Sequence, residues 1–192
     1  MLKQVANATR ESCRDVKDLF NLAGRVAIVT GGSIGRGRQI AEGLAEMGAD
    51  LVLCARKKER CQQASDELQQ LGVRTLALGC DVKSPADIQA VVDAAFSQFG
   101  RIDILVNNAG ISWGAPVERM SLEDWNKVIE TNLTGTFLCA HAVGRVMIKQ
   151  LRGKIINIAS VAGLGGAPPT LPAIGYHASK GGVISFQGVT AA

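Results

Sequence analysis

The chain has 192 residues, of which 47% are apolar and 20% charged, and a formal net charge of +4. That length suits one domain with a real core, and the composition argues against disorder. Lysines and arginines are scattered rather than massed, which argues against a nucleic-acid surface.

Residues 1–20 read as an N-terminal extension of a domain that occupies 21–192. They mix Lys3, Arg10, Arg14 and Lys17 with Glu11, Asp15 and Asp18. No apolar run suits a signal peptide, and the acids argue against a transit peptide. No stretch has the length of a membrane span, so a cytoplasmic protein is expected. The five cysteines (Cys13, Cys54, Cys61, Cys80, Cys139) include no CxxC pair. With His141 and His177 the only imidazoles, neither a disulfide framework nor a metal site is expected. The cysteines read as reduced, mostly buried side chains.

A strand-turn-helix pattern then repeats. Val26 to Thr30 is a short β-branched run ending in glycines, which reads as a buried strand. Ile40, Ala41, Leu44, Ala45 and Met47 recur at helical spacing up to Gly48. Leu51 to Cys54 is a second strand, residues 57–71 a second helix closed by Gly72, and Thr75 to Leu78 a third strand. Pro85 opens a helix running toward Gly100. Ile104 to Val106 is a fourth strand, 122–150 a long helical region and Lys154 to Ile158 a fifth strand. A last helix opens in the stretch from Tyr176 to Ser179. This alternation predicts an α/β fold: a Rossmann-type, doubly wound parallel sheet with helices on both faces. Ligands are expected at the carboxyl ends of the strands. The one long Gly/Pro-rich loop runs from Gly163 to Gly175.

Thr30-Gly31-Gly32-Ser33-Ile34-Gly35-Arg36-Gly37 stands between the first strand and the first helix. Glycines there let the backbone turn sharply and approach a pyrophosphate, while the helix N-terminus offers free N–H groups. Alone, such a turn could be a tight strand-to-helix connection. Its position makes the chain resemble the short-chain dehydrogenase/reductase family, whose cofactor motif is TGxxxGxG. The resemblance implies that Thr30, Gly31, Ser33, Ile34, Gly35 and Gly37 cradle a nicotinamide dinucleotide. It likewise implies that Asp81 and Val82, after Cys80, line the adenine pocket, with the carboxylate accepting from the adenine amino group. Asn107-Asn108-Ala109-Gly110 is identical to the family's NNAG signature, so Asn108, Ala109 and Gly110 are expected along the cofactor path. Arg36 departs from the family, which usually has an apolar residue between the last two glycines. It either reaches a phosphate or disturbs the site.

Tyr176-His177-Ala178-Ser179-Lys180 sets Tyr and Lys one helical turn apart. A free phenol, with a pKa near ~10, is a poor base at neutral pH, and a neighbouring ammonium favours the phenolate. Tyr176 is the only tyrosine in the chain, so its YxxxK spacing is not one of many trials. By the resemblance, Tyr176 is the general acid/base, and Lys180 tunes it and holds the nicotinamide ribose. Both therefore also count as cofactor contacts. Ser160 hydrogen-bonds the substrate oxygen, and Asn132 orders a proton-relay water. His177 reads as a helix-surface residue and His141 as a polar-face one. Trp113 and Trp125 read as packing residues, Trp113 lying near enough to the NNAG turn to face the pocket.

The second strand ends Cys54-Ala55-Arg56-Lys57. No carboxylate stands there for a ribose 2′-hydroxyl, and the Arg56 guanidinium suits a 2′-phosphate. NADP is the expected cofactor, with NAD possible; an exposed Arg at a helix start is the plainer reading. Within the family the likeness is to gluconate 5-dehydrogenase-like and 3-oxoacyl-carrier-protein reductase-like members. Ala159 to Gly166 and the Pro168-Pro169 loop favour the former. The implied substrate is a secondary alcohol or ketone, either a sugar acid such as gluconate or a 3-oxoacyl thioester. The resemblance runs from about residue 19 to 187, and the family pattern continues further, so a C-terminally truncated member is expected. A non-catalytic nucleotide-binding or partner-binding remnant is the alternative. Family members assemble through the helices near 122–150 and after Tyr176, which implies a homo-oligomer, dimer or tetramer, in the full-length form.

Overall fold

Five short apolar runs form one parallel sheet of order β3-β2-β1-β4-β5. The strands are β1 (Val26–Thr30), β2 (Asp50–Ala55), β3 (Thr75–Gly79), β4 (Ile104–Asn107) and β5 (Lys154–Asn157). The helices are α1 (Val16–Leu19), α2 (Gly35–Glu46), α3 (Lys58–Gln69), α4 (Pro85–Phe99), α5 (Leu122–Ile129), α6 (Gly135–Lys149) and α7 (Ile174–Gln187). The computed structural model describes residues 16–166 and 172–187. Residues 1–15, the Pro168-Pro169 segment and the chain beyond 187 lie outside the described residues.

Alternation along each strand feeds two cores. Val26 and Ile28 of β1, Val52 and Cys54 of β2 and Leu105 of β4 pack with α4 and α6. Ala27 and Val29, Leu51 and Leu53, and Val106 point the other way, onto α2 and α3. Over β1, β2 and β4 both faces are covered, which is why these strands read as unbroken apolar runs, while β5 at the edge is more open, with Ile156 45% exposed. Each fully buried Val, Leu or Ile contributes about 1.5–3 kcal/mol. The α4 boundaries follow local chemistry. Ser84 Oγ accepts from the Asp87 N–H at 3.2 Å, Pro85 takes the first helical position, and Gly100 closes the helix with φ +73.

The expected helical region 122–150 is present, but not as one α-helix: α5 and α6 are joined by a π turn over Glu130–Thr134. An apolar pattern cannot distinguish a single wide turn from an α turn. The last helix also opens earlier than expected, at Ile174, so Tyr176 lies within its first turn. The His177 N–H and ring Nδ1 both meet the Ala173 carbonyl, at 3.0 and 2.7 Å, which draws the chain into the helix before the motif begins. Among the described residues Cys54, Cys61, Cys80 and Cys139 are buried and free. No described helix is long and apolar enough to cross a membrane.

At the amino ends of the strands, away from the glycine turn, Asp103 ties β4 to β1. Its carboxylate accepts from the Val26 N–H at 3.0 Å, Arg101 Nε at 2.7 Å and Arg25 Nη1 at 3.2 Å. Burial alone would raise its pKa, but hydrogen bonds from Arg101, Val26 and Arg25 outweigh it and hold the carboxyl below its ordinary value. A depressed folded-state pKa gives stability that is present above the unfolded value near ~4 and lost as pH falls through the folded one. Asp103→Asn is therefore expected to cost about 2 kcal/mol at pH 7, measured by urea unfolding. The gap from wild type should close in acid; a gap constant from neutral to strongly acid pH would rule out the charge as its source.

Candidate active site

A cleft of about 650 Å³ opens at the carboxyl ends of the strands. It lies where the strand order reverses beside β1, the place such sheets reserve for ligands. Its floor is built from the ends of four strands: Gly31 and Ser33 after β1, Cys54 to Lys57 at β2, Cys80 to Val82 after β3, and Asn108 to Ile111 after β4. Ile34, Arg36 and Gly37 line it from the opening turn of α2, with Arg60 and Thr131 at its margins.

The glycine turn is locked rather than loose. Asn108 Nδ2 donates to the carbonyls of Thr30 and Gly31, at 3.0 and 3.2 Å. A Cβ on Gly37 would collide with the Gly31 carbonyl oxygen and with Asn108 Nδ2, so only glycine lets α2 start against this turn. Thr30 is buried and does not line the cleft. Its Oγ1 accepts the N–H groups of Asn108 and Ala109, both at 3.0 Å, and so sets the NNAG segment against β1. Its part is to position the cradle rather than to touch a ligand.

One end of the cleft is cationic. Arg56, Lys57 and Arg60 are exposed there and have no carboxylate partner among the described residues. Asp81 and Val82 border the same end, with Asp81 Oδ1 accepting the Lys83 N–H at 3.0 Å. The thiols nearby differ: the hydrogen bond with Cys54 lowers Cys80, which lines the cleft. Burial pushes Cys139 up to about 12, and the hydrogen bond with Cys80 together with burial raises Cys54 further from neutrality.

Ser160, Tyr176 and Lys180 are not among the residues lining this cleft; they are brought together by α7 and the turn after β5. Lys180 is buried and its ammonium donates to the Ile158 carbonyl at 2.5 Å. The same ammonium stands 5.9 Å from the centre of the Tyr176 ring. Burial, and then the positive charge of Arg36, lower the Lys180 pKa. The Tyr176 hydroxyl has no hydrogen-bond partner among the described residues and its side chain is half-buried. Ser160 Oγ accepts the Ala162 N–H at 3.2 Å, beginning a short turn over Val161–Gly163. A Cβ on Gly163 would fall 2.6 Å from the Lys180 carbonyl carbon, so this turn packs directly on the α7 backbone.

Asn132 lies in the π turn and is fully buried. Its Oδ1 accepts the Ile111 N–H at 2.8 Å, and its Nδ2 donates to the Ile111 carbonyl at 2.8 Å and to Ser179 Oγ at 3.0 Å. Both amide protons are thus engaged by protein, and any part in ordering a water falls to its oxygens. Ser179 closes this clasp between the β4 loop and α7, a role the sequence reading missed. Its signal was a small hydroxyl beside Lys180 on the buried side of the helix. Arg60, four residues after Arg56, and Ile111, one after the NNAG turn, were missed for want of a motif. Trp113, read as a packing residue, is in fact 47% exposed, with the Lys127 ammonium 5.8 Å from its ring centre. His141 is exposed and stacks on Phe137, whereas His177 is half-buried on Ala173.

Residues 25–192 match the family profile described as short chain dehydrogenase. The chain belongs to the short-chain dehydrogenase family. It is 42% identical over 168 residues to the 3-oxoacyl-[acyl-carrier-protein] reductase FabG of Escherichia coli, covering 88% of this chain and 66% of that protein. It is 40% identical over 174 residues to the D-threitol dehydrogenase of Mycolicibacterium smegmatis, covering 90% of this chain and 65% of that one. Among solved structures, a short-chain type dehydrogenase/reductase from Mycobacterium marinum superposes with a TM-score of 0.88 at 36% identity, covering 92% of this chain and 70% of the other. An NAD+-bound xylitol dehydrogenase superposes with a TM-score of 0.85 at 36% identity, covering 88% and 65%. This short-chain dehydrogenase chain thus spans about two thirds of the length of the curated relatives it matches.

Proposed function

We propose that this chain carries the cofactor-binding and catalytic part of an NADP-dependent oxidoreductase acting on a secondary alcohol or ketone. The observation that carries the reading is a Tyr176 hydroxyl without a partner among the described residues, one helical turn from a buried lysine, beside a cleft whose basic end has no carboxylate partner among them. The fit to a dinucleotide rests on this cleft: a turn with no room for a Cβ at Gly37, a volume of about 650 Å³, and three cations, Arg56, Lys57 and Arg60, with no carboxylate partner among the described residues.

A bound nicotinamide supplies the hydride donor or acceptor. The protein's own part is proton management and orientation. In the reducing direction Tyr176 gives its hydroxyl proton to the substrate oxygen, and the Lys180 ammonium offsets the charge left on the phenolate. Lys180 can do this because the Ile158 carbonyl fixes its position. Ser160 keeps its proton and donates a hydrogen bond to the same substrate oxygen, its acceptor side being held by the Ala162 N–H. Arg56, helped by Lys57 and Arg60, receives the 2′-phosphate. The likeness to an NAD+-bound xylitol dehydrogenase keeps NAD as the second reading.

For the substrate, the relatives support a 3-oxoacyl thioester or a polyol, and gluconate stands as a sugar-acid variant of the second class. A cytoplasmic protein, homo-oligomeric in its full-length form, goes with this reading. The test is titration of the purified chain with NADPH and NADH by fluorescence, followed by a ketone panel. Tighter NADPH binding with oxidation by one substrate class is the expected result. Binding of neither nucleotide would overturn the reading, and binding without turnover would favour a nucleotide-binding remnant.

A further inference from the structure

Arg36 stands between the last two glycines of the turn. Gly35 precedes it with φ +54 and Gly37 follows with no space around it, so the backbone that carries Arg36 is fixed in direction. The side chain is exposed, lines the cleft, and makes no hydrogen bond or ion pair among the described residues. Two residues on, Arg38 behaves in the opposite way, pairing with Glu42 and Glu67 at 3.2 Å each. The carboxylates of this surface are thus used by Arg38, and none reaches Arg36.

Two positive features therefore meet on this wall of the cleft, Arg36 and the free N–H groups at the start of α2, and the Lys180 ammonium, outside the cleft lining, feels the charge of Arg36. A cation in the first turn of a helix is unfavourable by itself, because it adds to the positive end of the helix dipole. Asp81, the only carboxylate among the described residues that line the cleft, follows β3 and is held by the Lys83 N–H. The arrangement is balanced only when an anion enters between these groups. The basic cluster of Arg56, Lys57 and Arg60 lies at the end of β2, a separate part of the cleft wall.

We propose that Arg36 is a cofactor-positioning residue whose guanidinium grips the diphosphate bridge of the dinucleotide on its nicotinamide side. The inference rests on the dinucleotide reading above and adds to it a contact where the family pattern has an apolar side chain. A guanidinium offers a planar pair of donors that suits two phosphate oxygens. It would hold the bridge from the side facing Lys180, while the backbone of the glycine turn holds it from below. Recognition of this kind is indifferent to the 2′-position, which Arg56 serves.

The experiment compares wild type, Arg36→Gln and Arg36→Lys by fluorescence titration with NADPH and NADH, and by competition with 2′,5′-ADP, which lacks the nicotinamide-side phosphate. Arg36→Gln is expected to weaken NADPH and NADH alike, by about tenfold or more, with 2′,5′-ADP unchanged. Arg36→Lys should recover part of the loss, since it keeps the charge and gives up only the planar pair. Unchanged dinucleotide affinity in Arg36→Gln would overturn the inference and leave the dinucleotide reading standing. Loss confined to NADPH, or shared by 2′,5′-ADP, would overturn it too, moving the contact to the adenosine half. Unchanged nucleotide affinity with a raised KM for an anionic ketone would reassign Arg36 to the substrate. If wild type binds neither dinucleotide, the functional reading itself falls, and this inference with it.

Discussion

Tyr176→Phe is expected to lower turnover by about 10²–10⁴-fold, the contribution of a positioned acid or base, while leaving NADPH affinity within about twofold. The asymmetry follows from the site. The Tyr176 hydroxyl has no partner among the described residues, so its removal leaves no buried group stranded and little reason for the fold to shift. The ring, which lies over the Lys180 ammonium, stays in place. Lys180 keeps its bond to the Ile158 carbonyl, and the glycine turn is untouched. Single-turnover kinetics with a ketone substrate, together with a nucleotide titration, would separate the two effects. Retained turnover at a comparable rate would remove Tyr176 from the mechanism. A parallel collapse of nucleotide binding would instead make it a structural prop.

The second large effect is a change of cofactor. Arg56→Asp is expected to weaken NADPH by about tenfold or more through loss of a charge-assisted phosphate contact, and to leave NADH equal or tighter. A carboxylate at the end of β2 repels the 2′-phosphate and can accept a hydrogen bond from a ribose 2′-hydroxyl. The reversal will not be complete with this substitution alone. Lys57 and Arg60 border the same part of the cleft, and both keep some attraction for the phosphate. Adding Lys57→Gln should deepen the shift. The ratio of kcat/KM for the two cofactors is the quantity to follow, and an unchanged ratio would exclude Arg56 as the discriminating residue.

Much of the fold was legible because its determinants are local. Strands buried on both faces leave continuous β-branched runs, and Gly48, Gly72 and Gly100 punctuate the helices between them. The cradle was legible as glycines set after a strand, and the Tyr176–Lys180 pair through helical spacing. What escaped depends on contacts between distant segments. Nothing near Thr30 tells that its hydroxyl faces the N–H groups of Asn108 and Ala109 rather than a ligand. The engagement of both Asn132 amide protons by Ile111 and Ser179 arises only when the β4 loop meets α7. Arg36 could be identified from its motif as anomalous, but its lack of a carboxylate, against Arg38 with two, is a property of folded surfaces.

The wide turn around Asn132 has a further consequence, for the phase of the helix that contains it. Val128, Asn132, Thr136, Ala140, Val143 and Met147 are all buried. From the first to the last is nineteen positions and five turns, where an ideal α-helix would need about eighteen, at about 100° per residue. The π turn absorbs the surplus residue. It thereby keeps the stripe that meets α7 aligned with the stripe that meets α4 and the sheet. Without it the two halves would be out of step by about a quarter-turn, and either Val128 or Met147 would be turned outward. The spacing between these residues is therefore counted to the single amino acid. Substitutions here can be absorbed by repacking, but a change of length by one residue would move the buried Asn132 and the core Met147 relative to each other.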